Sequence, residues 1–398
     1  MKAVYIYDGI IDPTVPVERE TNGIIRKIKM QVDALERLGV RTRIWSPALR
    51  GGRSAIRKVL SRLPLFPVTT TWPYEEVFED CDFVYIRKGA LDLWVLRFLR
   101  RLREKHPRLA IFYEVPTYPY DSEMAAPALR LLLMKERFWR KRLHAYVDRI
   151  VTFSGDGRIW GIPTVRTQNG IDVDRTPAKR VFAEDTGVLH ILAVAVFSQW
   201  HGFDRLLRGL AAYRSARIPG DPEITLHMVG EGPSGEQYRR LTEELGLGEH
   251  VIFYGSLHGA ALDDAFDRAD VAAASLGIHR IDLGSVSTLK AREYSARGIP
   301  FIKAYGDKSF DDRSFEFAFN CPADESPIDL SAVAAFVADL RERIGLPEVA
   351  ARMRAFAIEN LTWEKCLTGV VAEMREIRRR GGDAEPGNFS KEEDRILE

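Results

Sequence analysis

Short apolar segments alternate with longer amphipathic segments along most of the chain. One amphipathic segment near the N-terminus repeats its apolar residues at helical spacing and ends at a glycine, through Ile24, Ile28, Val32, Leu35, Leu38 and Gly39. The apolar segments predict strands near residues 2–7, 42–46, 82–87, 110–114, 149–153, 164–168, 190–196, 224–229, 251–254, 270–274 and 300–304. This alternation is typical of α/β domains that are built on parallel sheets.

The length of 398 residues favours two domains. We predict a Rossmann-like domain over residues 1–175 and a second one over residues 176–377. The two are expected to join within the polar stretch from Asp172 to Gly187. The tail over residues 378–398, with a Gly-Gly pair and mixed charges, is predicted to be disordered.

Composition excludes several classes of protein. No apolar run approaches the ~20 residues of a spanning helix, and the first strand begins at once, so we expect a cytoplasmic protein without a signal peptide. Cys81, Cys321 and Cys366 lack the spacing of metal ligands, so no metal and no cofactor is predicted.

The net charge of +1 conceals an asymmetry between the two halves. Residues 1–180 contain 33 basic and 21 acidic residues, and the remainder contains 25 and 36. The first half is therefore expected to face an anionic partner. Nucleic acid is not expected, because no nucleic-acid-binding motif is present. The basic stretches 97–108 and 135–149 are interleaved with or preceded by apolar residues, so they are either solvated faces or amphipathic helices on a membrane surface.

The run from Gly284 to Pro300 carries the most chemistry. It begins with small residues, continues into a predicted helix that contains Glu293, and closes with Gly298-Ile299-Pro300. A small-residue loop before a helix binds anions, because free N–H groups and the positive end of the helix dipole meet there. An acid two turns further along can accept hydrogen bonds from ribose hydroxyls. The run therefore predicts a nucleotide site.

At these residues the chain resembles the retaining GT-B glycosyltransferases of family four. Their signature is a Glu, seven residues and a second Glu, followed by a Gly-x-Pro turn. Glu293 matches the second Glu, while Ser285 stands in the place of the first. The resemblance implies a GT-B fold, with two Rossmann-like domains facing across a cleft. It also implies a nucleotide-sugar donor, an acceptor held by the N-terminal domain, and retention at the anomeric carbon.

Other donor-site residues follow from the same resemblance. The family usually places an Arg and a Lys-Gly pair after the strand near 190–196, where this chain has His201-Gly202. His201 either contacts a phosphate or caps the helix, and Arg205 or Lys290 is expected to supply the missing charge. Donor contacts are also expected at Gly230, in a Gly-x-Gly-Pro turn, and from the backbone of Ser285, Val286 and Ser287.

Two positions in the first half are candidates as well. Gly23 matches a loop glycine that faces the donor phosphate in the resembled enzymes, although a helix cap at Asn22 explains the segment equally well. Glu114 emerges from an apolar strand where the family often has a His. It is predicted either to act on the ligand, by binding or acid–base catalysis, or to form structural hydrogen bonds. Glu114 and Lys290 are the predicted catalytic residues.

The sequence therefore predicts transfer of a sugar from a nucleotide-sugar to a glycan or lipid-linked acceptor in polysaccharide or glycolipid synthesis. The enzyme is expected to associate with the inner face of an anionic membrane. Two alternatives remain open, a nucleotide-sugar epimerase of the same fold and a non-catalytic nucleotide-sugar-binding protein. A dinucleotide dehydrogenase is disfavoured, because no Gly-x-Gly-x-x-Gly follows the first strand.

Overall fold

The computed structural model describes residues 1–12, 14–20, 22–46, 72–87, 89, 91–121, 129–182, 187–311, 313 and 315–381. The chain divides into two compact units. Unit 1 is Met1–Gln168 together with the chain from Cys366 onward, and unit 2 is Asn169–Lys365. The division thus falls earlier than the predicted boundary after residue 175, and the chain returns to unit 1 before residue 377.

The earlier boundary has a physical cause in the segment that was predicted to be a linker. Arg354 donates to the carbonyl oxygens of Val173 and Thr176, at 2.8 and 2.9 Å. The Lys179 N–H donates to the carbonyl of Arg297 at 2.8 Å. These bonds fix the start of the segment to unit 2, although its composition is that of a loop.

Unit 1 contains a seven-stranded sheet in the order β2-β1-β3-β4-β5-β7-β6. Its strands are β1 (Lys2–Tyr7), β2 (Arg41–Trp45), β3 (Phe83–Arg87), β4 (Ala110–Val115), β5 (Arg149–Thr152), β6 (Arg158–Ile159) and β7 (Ile162–Arg166). All pairs are parallel except β6 with β7. The first three helices are α1 (Gly23–Arg37), α2 (Leu93–Lys105) and α3 (Arg130–Arg140). Every residue of β4 is buried, as in a parallel sheet that is covered on both faces.

Unit 2 contains a six-stranded parallel sheet in the order β10-β9-β8-β11-β12-β13. Its strands are β8 (Val188–Val194), β9 (Glu223–Val229), β10 (Val251–Gly255), β11 (Val271–Ala273), β12 (Phe301–Lys303) and β13 (Ala318–Asn320). Its helices are α4 (Phe203–Ala216), α5 (Gly235–Glu244), α6 (Ala260–Arg268), α7 (Leu289–Arg297), α8 (Lys308–Asp311), α9 (Leu330–Arg343) and α10 (Leu346–Asn360). The last helix, α11 (Trp363–Gly381), begins in unit 2 and continues into unit 1.

The eleven predicted strands are all present within a few residues of their predicted positions. The two strands that were not predicted, β6 and β13, have only two and three residues. Residues 378–381 of the predicted disordered tail belong to α11, and residues 382–398 lie outside the described part of the chain. None of the helices in the described ranges combines the length and the apolar character that a membrane span requires.

Candidate functional site

The order of the strands in unit 2 defines where a ligand can bind. After β8, the chain places β9 on one side of it and β11 on the other, so the topological switch point lies between β8 and β11. Open α/β sheets bind ligands at the carboxyl ends of the strands at such a point. Two segments leave the sheet there, residues 195–202 before α4 and residues 274–288 before α7. The N–H of Leu276 donates to the carbonyl of His201 at 2.8 Å and joins them.

A glycine allows these two segments to approach closely. Gly202 has a φ of +64°, and a Cβ atom there would lie 2.6 Å from the backbone of Leu276. Any larger residue would force the segments apart. The Gly202 that sequence analysis associated with phosphate binding therefore has a structural function that holds the switch point together.

The N-terminus of α7 opens at this point. The Thr288 hydroxyl caps the helix by accepting from the Ala291 N–H at 3.4 Å, and it also pairs with the Tyr305 hydroxyl at 2.7 Å. In the described part of the chain, the N–H groups of Leu289 and Lys290 donate to no protein oxygen. Two free amides and the positive end of the helix dipole together form an anion-binding arrangement.

The loop before α7 is fixed by hydrogen bonds to other parts of the protein, so not all of its polar groups are free to bind a ligand. The Val286 N–H donates to the carbonyl of Gly306 at 2.9 Å, so this amide is not available to a ligand. The Ser287 hydroxyl accepts from the Asn169 N–H at 2.8 Å. Ser285 is exposed and forms a parallel bridge with Gly306. Of the three predicted backbone contacts, the N–H of Val286 is thus engaged by protein, whereas those of Ser285 and Ser287 donate to no protein oxygen among the described residues.

Lys290 has an unusual environment for a lysine. Its Nζ atom is buried and has no hydrogen-bond partner within the described ranges. The nearest aromatic ring is that of Phe203, whose centroid lies 5.5 Å from Nζ. Burial lowers the pKa of Lys290 to about 7. Since an isolated buried charge is unfavourable, this amine is stabilised by any anion that enters the site.

His201 lies against the same phenylalanine and is neutral. Its ring stacks on Phe203 with a centroid separation of 5.6 Å, and Nδ1 accepts from the Ser198 N–H at 3.2 Å. Burial, and then the charge of Lys290, lower the pKa of His201 to about 2. Because Nδ1 accepts, the proton of the neutral ring is on Nε2, which can still donate. His201 thus completes a capping box with Ser198 on the short 3-10 helix Gln199–His201, whereas α4 itself follows Gly202 without a side-chain cap.

Arg205 is not brought to the site. Its guanidinium is buried, and all three nitrogens donate to backbone carbonyls, those of Leu276, Pro322 and Ser326. Sequence analysis proposed Arg205 as a phosphate ligand, but its hydrogen bonds instead secure the segment before α7 and the segment after β13.

Gly230 also has a structural explanation. With its φ of +127°, a Cβ atom would lie 1.8 Å from the carbonyl oxygen of Ala195. The glycine therefore allows the exits of β8 and β9 to pack against each other. Sequence analysis attributed this small residue to the approach of a ligand, and the approaching group in the structure is protein backbone.

Glu293 is partly exposed on α7 and is paired with an arginine one turn further along the helix. One of its carboxylate oxygens accepts from Arg297 Nε at 3.0 Å, and Arg297 is held in turn by Asp263 at 2.8 Å. The Glu293 side chain is 30% exposed. The ion pair therefore fixes the carboxylate while leaving its second oxygen able to accept from a ligand.

One important residue of this region was missed by sequence analysis. Arg292 is fully buried and donates to Asp307, Ser309 and the carbonyls of Asn169 and Thr288. It thereby positions the loop before α7. Two features of the sequence could have indicated this role. An arginine directly precedes Glu293 in the predicted helix, and Gly306-Asp307 follows the next predicted strand.

In unit 1, Glu114 is buried beneath the carboxyl edge of the sheet. Its carboxylate accepts from Lys27 at 3.1 Å, Tyr85 at 2.7 Å, Gln31 at 3.2 Å and Arg87. Burial alone raises the pKa of Glu114, but the charges of Lys27 and Arg87 outweigh it and lower the pKa to about 2. The structural hydrogen bonds that sequence analysis considered are thus present.

The cluster around Glu114 contains two cations and one anion. Burial and the nearby Arg87 lower the pKa of Lys27 to about 8, and the attraction of Glu114 opposes this.

Gly23 lies in the first position of α1, where Asn22 Oδ1 accepts from the N–H groups of Ile24 and Ile25 at 2.9 and 3.3 Å. The cap at Asn22 is therefore confirmed, and space is open beside Gly23.

A comparison of the sequence with protein families gives one match in this unit. Residues 174–283 match the family model described as Glycosyl transferases group 1. The matched segment contains His201, Arg205 and Gly230 and ends just before Ser285. No curated protein sequence matches the chain.

The fold is similar to that of several solved structures. Sucrose-phosphate synthase from Thermosynechococcus elongatus is 17% identical, with a TM-score of 0.59 over 95% of this chain and 99% of that chain. A glycosyltransferase from Rickettsia africae is 13% identical, with a TM-score of 0.60 over 94% and 98%. The Anabaena protein Alr3699/HepE, in complex with UDP-glucose, is 13% identical, with a TM-score of 0.55 over 96% and 100%.

These likenesses confirm the predicted fold, two parallel-sheet α/β domains of the GT-B kind. At such low identities they show the fold alone. The domain match over residues 174–283 bears out the prediction of an enzyme that transfers sugars.

Proposed function

We propose that the protein transfers a sugar from a nucleotide-sugar donor whose diphosphate binds at the N-terminus of α7. The observation that carries the proposal is the group of free donors at the switch point of unit 2, the amides of Leu289 and Lys290 and the unpaired Lys290 amine. The match to group 1 glycosyltransferases and the UDP-glucose complex of a structural neighbour support a nucleotide-sugar as the ligand.

The chemistry requires stabilisation of the charge that grows on the leaving nucleoside diphosphate. Amides that are already oriented act without reorganisation, and the Lys290 ammonium adds a full charge in a site with little water. His201 Nε2 supplies a further neutral donor. The open oxygen of Glu293 accepts from the ribose hydroxyls. The family resemblance supports retention at the anomeric carbon.

A binding experiment tests the donor site. Wild type is titrated calorimetrically with UDP and other nucleoside diphosphates, and the measurement is repeated with Glu293→Gln. Loss of a hydrogen bond to a charged group costs about 1.5–3 kcal/mol, so Kd should rise roughly 10- to 150-fold. The matched control is Glu348→Gln, because Glu348 forms the same i,i+4 pair with Arg352, at 2.8 Å. This control should bind as wild type does.

The outcomes separate the remaining functions. If no nucleoside diphosphate binds to wild type, the proposed donor site is refuted. Interconversion of the donor sugar without an acceptor identifies an epimerase instead. Binding without turnover across glycan and lipid-linked acceptors identifies a nucleotide-sugar-binding protein.

We further propose that unit 1 docks on an anionic membrane and receives a lipid-linked acceptor on the cytoplasmic side. The supporting feature is the face of α3 formed by Leu131, Met134 and Phe138, which are 57%, 64% and 51% exposed. Their spacing places them on one side of the helix. Arg142 lies over the Phe138 ring at 4.2 Å, and Arg137 is exposed on the same helix. Apolar side chains flanked by cations match a lipid surface.

Sedimentation with vesicles tests this surface. Wild type should bind vesicles that contain phosphatidylglycerol and fail to bind pure phosphatidylcholine, and Phe138→Ser should weaken the binding. The control is Ile358→Ser, which changes an equally exposed apolar residue (53%) in unit 2. Equal binding by both variants would refute the assignment of α3. A wild-type dimer that Phe138→Ser dissociates would show that a second copy covers this face.

A further inference from the structure

The cations around the candidate donor site are almost all engaged by protein groups. Arg292 is paired with Asp307, Arg297 with Glu293 and Asp263, and Arg280 with Asp204 and Glu325. Arg205 is bound to backbone carbonyls. These four arginines therefore cannot neutralise a ligand without breaking a folded contact.

Lys290 differs from all of them. It stands on the first turn of α7 beside the free amides, and its Nζ atom is buried without a partner in the part of the chain that the structure describes. His201 faces it from the segment before α4 and is held neutral with its Nδ1 on the Ser198 N–H. Both side chains lie against the Phe203 ring, and of the two only Lys290 can become positively charged near neutral pH.

We propose that Lys290 alone supplies the full positive charge for the donor diphosphate, and that donor binding is therefore coupled to the uptake of one proton. The inference rests on the proposed function, because it takes a nucleoside diphosphate as the ligand of this site. The family that the chain resembles usually supplies this charge from basic residues after β8, and this chain lacks them there. Lys290 supplies the charge from α7 instead.

The direction of the pH dependence follows from the environment of Lys290. In the ligand-free protein, burial keeps the pKa of Lys290 at about 7, so the amine is largely neutral above that pH. A bound diphosphate favours the ammonium and raises the pKa. His201 stays neutral, and Glu293, on the same helix, is already paired with Arg297. Binding above pH 7 must therefore take up a proton, and affinity should fall about tenfold per pH unit.

Calorimetry measures this coupling directly. Wild type is titrated with UDP, or with whichever nucleoside diphosphate it binds, at pH 7.5 and 8.5 in two buffers that differ in ionisation enthalpy. At both values the terminal phosphate, with a pKa of about 6, is already deprotonated. We expect uptake of about one proton at pH 8.5 and about tenfold weaker binding than at pH 7.5.

Two variants identify the group that takes up the proton. Lys290→Arg retains a permanent charge, so it should bind with no proton uptake and no pH dependence. Lys290→Met should bind weakly and equally at both pH values. The Met variant replaces a buried unpaired amine with an apolar side chain and should be at least as stable as wild type, so thermal unfolding excludes a folding defect.

The possible results distinguish this inference from the function on which it rests. Nucleotide binding without proton uptake, or uptake that persists in Lys290→Met, overturns the inference and leaves the donor site intact. Absence of nucleotide binding in wild type at pH 7.5 refutes the proposed function itself.

Discussion

Replacement of Glu114 by Gln tests whether this carboxylate holds the fold of unit 1 or acts on a ligand. The substitution keeps the shape of the side chain and removes the negative charge that pairs with both Lys27 and Arg87. Both cations then lose the ion pair that each forms with Glu114. Because water cannot reach these two cations without opening the sheet, the structure predicts a large loss of stability.

The magnitude follows from two independent considerations. The pKa of Glu114 falls from a model-compound value of 4.5 to about 2 in the fold, because the nearby cations outweigh burial. At 1.36 kcal/mol per pKa unit, this difference corresponds to about 3 kcal/mol. Removal of one partner from a buried ion pair typically costs about 3–5 kcal/mol. We therefore expect a loss of about 3–4 kcal/mol, or roughly 6–16 °C in Tm.

Urea denaturation followed by tryptophan fluorescence is a suitable assay, because five of the seven tryptophans lie before residue 168, in unit 1. The control is Glu104→Gln, which makes the same change in an exposed i,i+4 pair with Arg100 and should cost less than about 0.5 kcal/mol. The advantage of wild type over Glu114→Gln should be complete above pH 4.5. It should shrink as the pH falls toward 2, because the carboxylate then becomes protonated.

One result would refute this reasoning. If Glu114→Gln unfolds at the same urea concentration as wild type but loses sugar transfer, the carboxylate acts on the substrate, and its buried contacts contribute little to folding.

Three further substitutions test other contacts by the same denaturation assay. Gly230→Ala should cost about 3 kcal/mol, because its Cβ would overlap the Ala195 carbonyl, whereas Gly246→Ala, with positive φ but open surroundings, should cost only about 1 kcal/mol. Arg205→Met should cost roughly 3 kcal/mol, because three backbone carbonyls lose their donor; a neutral result would mean that water replaces it. Asn22→Ala should cost about 1 kcal/mol and Asn22→Gly only a few tenths; equal losses would argue against the cap.

The fold could be predicted from the sequence because its signals are local. A run such as residues 191–196 is apolar throughout, as a buried parallel strand requires, and the helix that ends before Gly39 shows its period directly. The strands β6 and β13 are too short for any pattern. The sequence placed the candidate site at the loop before α7, and this stays a prediction; the free amides of Leu289 and Lys290 lie in the first turn of the helix that follows the loop.

The partners of charged side chains could not be predicted, because they lie far away along the chain. Glu114 meets Lys27 across 87 residues, and Arg205 meets the Ser326 carbonyl across 121. The sequence shows that a residue is charged and leaves open whether the charge is already satisfied. This is why Arg205 and Lys290 were equal candidates in the sequence, while the structure leaves only Lys290 unpaired.

The course of α11 has a consequence for how the protein is made. Unit 2 is one uninterrupted piece of chain, whereas unit 1 is completed only by the residues from Cys366 onward. The buried residues Leu367, Val370 and Met374 leave the ribosome after all of unit 2. During synthesis unit 2 can therefore fold first, before the part of α11 that completes unit 1 has been made. We expect a released chain that ends at residue 365 to protect unit 2 from protease while unit 1 remains cleavable.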